Sequence, residues 1–159
     1  MSSMSSETMV STGSIICDTL FFLKNALSGN VPDPITRPSG DKFIMTSFPS
    51  RASTYPLITI KDNGITATKK LGFQSEGFQM KLPIEVRIWA RSVAERDKLF
   101  DRTFEVLRTN QFPVGTSGTS SYADLHDFKL ESVNNFDEAG ENSIKCKIIN
   151  LSYMYVVDA

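Results

Sequence analysis

The sequence predicts an α+β fold: a mostly antiparallel β-sheet of four to six strands with two α-helices packed on it and a long projecting β-hairpin. Three observations carry this. Leu82, Ile84, Val86, Ile88 and Ala90 share one parity while Lys81, Glu85, Arg87 and Trp89 take the other, the period-2 signature of a half-buried strand. Leu99, Phe100, Thr103, Phe104, Val106 and Leu107 then recur at helical spacing behind Ser92-Val93-Ala94-Glu95, which has the spacing of a capping box. A strand that feeds directly into such a helix makes a sheet with helices on one face. Nothing between Tyr55 and Asn110 has the pattern of reactive chemistry, and that points to a structural or assembly role.

The 159 residues are enough for one domain with a real core and too few for two comfortable ones. Residues 1–10 read as a mobile N-terminal tail and 11–159 as a single α+β domain, because polar termini seldom order themselves. With 40% hydrophobic and 22% charged residues and a net charge of -1, neither disorder nor a membrane protein is favoured. A dedicated duplex-DNA binder would need a clustered basic face, and Lys69-Lys70 is the longest basic run. Cys17 and Cys146 sit among hydrophobic neighbours and read as free and buried. Met1 to Gly13 has no lysine or arginine, Asp18 interrupts the apolar run Ile15 to Leu23, and no stretch approaches the roughly 20 apolar residues a membrane helix needs. The expectation is a chain made and folded in the cytoplasm of whatever cell expresses it.

Taken in order, a first helix is capped by Ser11 or Thr12, with Ile16, Leu20, Leu23 and Leu27 along one side and a left-handed cap at Gly29. Pro32, Pro34 and Pro38 make Asn30 to Gly40 an extended linker. Phe43 to Thr46 and Leu57 to Ile60 are short strands, the second opened by Tyr55-Pro56. Asp62-Asn63-Gly64 is a turn signal, so Ile65 to Leu71 is placed as a returning hairpin arm, with loop from Gly72 to Gly77 and the main strand from Phe78. After the second helix, Pro113 to Ser121 reads as a flexible connector. Leu125 to Val133 and Ser143 to Val157 are two closing strands joined by the polar Asn134 to Asn142. In the last one, Ile144, Cys146 and Ile148 keep one parity while Leu151, Tyr153, Tyr155 and Val157 take the other, so a bulge or a change of packing partner is expected near Ile148-Ile149.

His126, the only histidine, lies between Asp124 and Asp127. A metal typically needs three or four convergent ligands and none are spaced for it, so it reads as a residue at the start of a strand beside solvated acids, and no catalytic residue, metal or cofactor is predicted. No phosphate-binding glycine motif, nucleophile elbow or paired-cysteine motif occurs. The alternating charges Glu95, Arg96, Asp97, Lys98, Asp101, Arg102, Glu105 and Arg108 form either a solvated helix face or inter-subunit ion pairs. Trp89 lies opposite the apolar parity, beside Arg87, where an indole is either simply wet or at a contact. Phe73, Phe78 and Met80 in the hairpin either fold back on the core or meet a partner. The candidate subunit-interface residues are therefore Trp89, Arg87, Phe73, Phe78, Met80, Leu151, Tyr153 and Tyr155. The last strand carries no lysine, arginine or proline from Ile148 to Val157, which leaves it unblunted if it is an edge.

The Tyr55-Pro56-Leu57-Ile58-Thr59-Ile60 strand, the Ile84-Glu85-Val86-Arg87-Ile88-Trp89-Ala90 strand running straight into its helix, and the final Ile148 to Val157 strand resemble, in that order, the tail terminator or tail completion proteins of long-tailed bacteriophages. The resemblance spans most of the chain from Ile15 onward, and the proline-rich Asn30 to Gly40 segment stands outside it. It implies a structural virion protein of the tail and neck, a hexameric ring of identical subunits that ends tube polymerisation. The tail tube protein and a neck or head completion protein would be its partners, with DNA passing the lumen without sequence-specific binding. It implies no catalytic residues, and a hairpin over Lys61 to Lys81 that reaches a neighbouring subunit or the lumen. Another neck component, such as a head completion or stopper protein, is the nearest alternative. A ligand- or nucleic-acid-binding α+β module is a further one, for which Arg87 and Trp89 alone make too small a platform. An enzyme would have to work through His126.

Overall fold

The computed structural model describes residues 14–47, 54–71, 77–112, 125–137 and 144–158. The tail over residues 1–10, Phe73 and most of its loop, the Pro113 to Ser121 connector and Asp124 lie outside the described residues. The fold class is the one the sequence predicts: helices α1 (Ile15–Asn30) and α2 (Val93–Thr109) on a six-stranded, mostly antiparallel sheet. The strands are β1 (Ile44–Met45), β2 (Leu57–Asp62), β3 (Thr66–Leu71), β4 (Gly77–Ala90), β5 (His126–Asp137) and β6 (Lys145–Asp158).

Helix α1 starts later than expected. Ser14, not Ser11 or Thr12, is the cap, its side-chain oxygen accepting from the Cys17 amide at 3.4 Å. The helix also runs through Gly29. It stops at Val31, which is extended, donates its N–H to Leu27 O at 2.8 Å and is buried. Pro32 supplies the reason, since a proline pushes the residue before it out of the α region. Leu23 and Leu27 are fully buried, with Asp18 and Thr19 on the same stripe and Ile16 and Leu20 at its margin. Cys17, one residue out of phase with Asp18, is exposed and not buried; Cys146 is buried, and both are free. The proline linker is pinned at its middle. Arg37 donates to the carbonyls of Thr54 and Pro56, pairs with Asp33 at 2.7 Å and lies 5.0 Å from the centre of the Phe43 ring.

The sheet order is β1-β2-β4-β6-β5, with β3 also on β4. Only β1 and β2 run parallel. Strands β2 and β3 lie end to end along one edge of β4, Leu57–Asp62 opposite Ile84–Trp89 and Thr66–Leu71 opposite Gly77–Lys81. The Asp62-Asn63-Gly64 signal is real, with Gly64 at φ 86° and its amide 3.3 Å from Asp62 Oδ2. It kinks the strand and does not reverse the chain, because β2 and β3 keep one direction against β4. A hairpin standing clear of the sheet is not confirmed: β4 is paired with β6 over its whole length, from Gly77 opposite Asp158 to Ala90 opposite Lys145.

That ladder also corrects the reading of the last strand. It runs without a register shift through Ile148-Ile149, so no bulge is present there. What changes is the packing partner. Cys146 and Ile148 point to the bare face of the sheet, and Ile149, Leu151, Tyr153 and Tyr155 to the face that α1 and α2 cover. Strand β6 is not an edge; it sits between β4 and β5.

Under the helices, Ile58, Ile60, Leu82, Ile84, Val86 and Ile88 meet Ile149, Leu151 and Tyr153 in one cluster with Leu23, Leu27, Leu99 and Leu107. Half of the expected capping box forms at α2. Ser92 accepts from the Glu95 amide at 3.2 Å, while the Glu95 carboxylate reaches the Arg91 amide at 3.1 Å instead of that of Ser92. Beyond α2 the Tyr153 hydroxyl donates to Gln111 O, and its ring lies 5.8 Å from Phe112 and 5.1 Å from Phe128. Burial pushes the Tyr153 phenol well above its ordinary pKa, so it stays the donor in this bond.

Leu151 is fully enclosed in its own chain, so Leu151→Ala should act on folding. A loss of about 2–5 kcal/mol in chemical denaturation is expected. An unchanged midpoint would contradict this placement.

Candidate assembly surface

The two helices contact each other and cover one side of the sheet, α1 over β1 and β2 and α2 over β4 and β6, and no described helix or strand packs on the opposite side. Residues paired directly across antiparallel strands share a face, so the ladders place the bare side in transverse rows. One row at the sheet end is Leu57, Trp89, Cys146 and Phe136, drawn from β2, β4, β6 and β5. The next is Thr59, Arg87, Ile148 and Asn134, and then Lys61, Glu85, Asn150 and Ser132. Over these rows the face grades from apolar to polar. Farther along lie Thr66, Lys81, Met154 and His126, and beyond them Gln79 opposite Val156, which is 38% exposed.

In the apolar row Leu57 and Cys146 are buried, Trp89 is half-buried and Phe136 is 54% exposed. The Trp89 indole N–H donates to Thr59 Oγ1 at 2.9 Å, and the Arg87 guanidinium lies 5.8 Å from the ring centre while bonding Glu85 Oε1 at 2.8 Å. Trp89 and Arg87 are therefore brought together, but as a tethered pair that is partly covered by its own chain. Met80 is half-buried against the core, and Phe78, on the helix-side parity, is 40% exposed. Leu151, Tyr153 and Tyr155 are buried at 0%, 0% and 6% exposure, which removes them from the free surface of the chain and corrects their placement among contact residues.

Strand β5 supplies what the sequence reading missed. It runs on to Asp137 through the segment read as a polar join, carrying Val133 (40% exposed) and Phe136 on opposite faces. Two register shifts mark its first part, between His126 and Lys129 and between Leu130 and Ser132, with Asp127 at φ 52°. From Ser132 to Asp137 the register is unbroken. No described strand pairs with the outer edge of β5. The extension was hard to see because Asn134 and Asn135 disfavour strands and isolate Phe136; the alternation Val133, Asn135 against Asn134, Phe136 gave no core face.

The second shift is what aims Glu131. As the extra residue beside Leu130 and Ser132, it reaches across β6 on the bare face, where its carboxylate accepts from Lys81 Nζ at 2.6 Å and from Ser152 Oγ at 3.0 Å. The hydrogen bond from Lys81 holds the Glu131 carboxyl below its ordinary pKa, with Ser152 adding to it. Asn150 donates to Ser132 Oγ at 3.0 Å beside this link. On the other side of the molecule several charges on and beside α2 pair within the chain: Arg91 with Glu95, Glu105 with Arg108, and Asp97 with both Arg96 and Lys147.

His126 opens β5 with its Nε2 3.4 Å from Gln79 Nε2. Among the described residues no group of three or more His, Cys, Asp or Glu side chains is placed to hold a metal, and no described helix is long and apolar enough to cross a membrane. No known protein-family model matches this chain, and no curated protein is significantly similar to it.

The Lys81–Glu131 link has a pH signature. A carboxyl held below its unfolded pKa contributes stability above that pKa, and the contribution disappears as pH falls through the folded value. Both side chains are 34% exposed, so screening limits the pair to about 1 kcal/mol or less. Glu131→Gln should be less stable than the parent at neutral pH and converge with it in acid. A gap independent of pH would refute the link.

Proposed function

We propose that this chain is a structural virion protein of the tail-terminator type, forming a hexameric ring of identical subunits at the end of the tail tube. Its work there is geometric: the ring stops tube growth and presents a surface to the neck. The observation that carries this reading is the bare sheet face, where Phe136 stands 54% exposed at the end of the Leu57-Trp89-Cys146 row while the other face is already under two helices. An exposed aromatic in the outer strand, on a sheet face where no described helix or strand packs, suits contact with another protein better than contact with water. The sequence resemblance supplies the class of protein; the bare face supplies a place for its contacts.

This reading moves the contacts away from the final strand. Phe136, Phe78 and the rim of Trp89 are the side chains left to meet a partner, with Val133 on the reverse of the β5 edge. Trp89 is a poorer probe than the exposed aromatics, because its indole bond to Thr59 and its buried flanks tie it to folding as well.

Phe136→Asp and Phe78→Asp should each change folding stability by about 0.5 kcal/mol or less, as exposed positions do, while reducing ring formation. Native mass spectrometry across a concentration series and electron microscopy of tail ends measure the second effect. A parent chain that stays monomeric at every concentration and is absent from tail ends would overturn the proposal.

A further inference from the structure

We propose that Asn63 is a site of spontaneous covalent modification in the folded protein, its side-chain amide cyclising onto the backbone nitrogen of Gly64 and then opening to aspartate and isoaspartate. This goes beyond the ring reading and does not depend on it.

Asn63-Gly64 is the single Asn-Gly pair in the sequence. The reaction requires a free carboxamide, an unhindered nitrogen after it, and a backbone that lets the two meet. Asn63 is exposed, and among the described residues nothing hydrogen-bonds its side chain. Its own backbone N–H donates to Pro83 O at 2.9 Å, but that nitrogen lies outside the ring that forms, so the bond need not break. Gly64 is exposed as well, with no side chain to crowd its nitrogen and open space where a Cβ would stand.

The sheet leaves this joint out of its ladder for a specific reason. Between the pairs Asp62–Ile84 and Thr66–Lys81, the edge carries Asn63, Gly64 and Ile65 against only Leu82 and Pro83 on β4. One residue is in excess, as in a bulge, and local pairing is lost. The Gly64 N–H accordingly meets only a side chain, Asp62 Oδ2 at 3.3 Å. Other asparagines are held more firmly. Asn30 and Asn110 donate their side chains to the carbonyls of Ala26 and Val106, Asn150 donates to Ser132 Oγ, and Asn134 and Asn135 lie within the β5–β6 ladder.

The step balances without an oxidant or a cofactor. The Gly64 nitrogen bonds to Asn63 Cγ, the Cγ–Nδ2 bond breaks, and the departing nitrogen takes the Gly64 amide proton and leaves as ammonia. Water then opens the cyclic imide. Attack at Cγ gives aspartate, and attack at the backbone carbonyl carbon gives isoaspartate. Either product sets a new carboxylate beside Asp62, and the second also adds one backbone atom where β2 joins β3.

The full-length folded protein, held in mildly alkaline buffer and compared with an unincubated control, tests this by mass spectrometry of the tryptic peptide Asp62–Lys69. Asn63 should convert at least about tenfold faster than Asn30, Asn134 or Asn135, a barrier lower by about 1.4 kcal/mol, with isoaspartate among the products. Two variants, each checked by circular dichroism to fold like the parent, should both convert more slowly. Gly64→Ala puts a methyl group beside the attacking nitrogen, at a residue whose φ of 86° strains any side chain. Asn63→Gln leaves Gly64 untouched and demands a six-membered ring. Conversion of Asn63 no faster than that of the other three asparagines would overturn the proposal. So would aspartate without isoaspartate, the mark of direct hydrolysis, or a Gln variant that converts as fast as the parent.

Discussion

Register between β4 and β6 is the constraint on which the rest of this structure depends. Side chains alternate across a strand with period two, so a slip by one residue exchanges the two faces of every position beyond it. In the observed register Leu82, Ile84 and Val86 stand beside Tyr153, Leu151 and Ile149, all beneath the helices. With β6 one step away, Asn150, Ser152 and Met154 would lie there instead, and Leu151 and Tyr153 would lose their place under the helices. Each buried polar group without a partner costs roughly 1–3 kcal/mol, and several together would exceed the margin by which a domain of this size is stable. The ladder accordingly carries no register shift along its length, and the shifts that do occur are in β3–β4 and β5–β6, towards the margins of the sheet.

This central pair explains where the apolar residues of the last strand go. Leu151, Tyr153 and Tyr155 are covered by helices, and Cys146 and Ile148 on the reverse side lie beside Trp89 and Arg87. Strand β6 consequently buries most of its hydrophobic surface within one copy, with Val156 near its end 38% exposed. Its neighbour β5 carries further outward-pointing apolar surface, through Val133 and Phe136. On the ring reading, the subunit is held together by the strand that looked most available and offers its partners the strand that looked least structured.

The elements written in strong periodicity were legible. The Leu82-to-Ala90 alternation, the Ser92 cap and the Leu99-to-Leu107 stripe gave β4 and α2, and the α+β class follows from them. What could not be read locally was adjacency. A doubly apolar strand is equally an interior strand or an unprotected edge, and only knowing that β5 flanks β6 decides between the two. The Asp62-Asn63-Gly64 turn signal fixed the backbone at Gly64 but not the path of the chain, since the same positive φ serves a reversal or a kink. At the α1 terminus, Gly29 carried the usual cap signal and Pro32 overruled it through Val31. Of the predicted contact residues, Phe78 is on the surface because the helices do not reach its end of β4, and no periodicity encodes where a helix layer stops.

On the ring reading, the distribution of charge favours contacts on the sheet over contacts on the helices. Arg91, Glu95, Asp97, Glu105 and Arg108 are all engaged within α2 or its flanks, and Lys147 reaches from β6 to Asp97 while its ammonium sits 4.5 Å from the centre of the Phe100 ring. A partner docking on α2 would have to break these pairs or bury them, and either step carries a desolvation cost that surface ion pairs do not return. The bare face asks for less. Its ion pairs are already made, Lys81 across the sheet to Glu131 and Arg87 along β4 to Glu85, and among the described residues it also presents the exposed Phe136 and Val156 and the outer backbone edge of β5. Backbone edges lose little on association, because each water hydrogen bond given up is replaced by one to a strand.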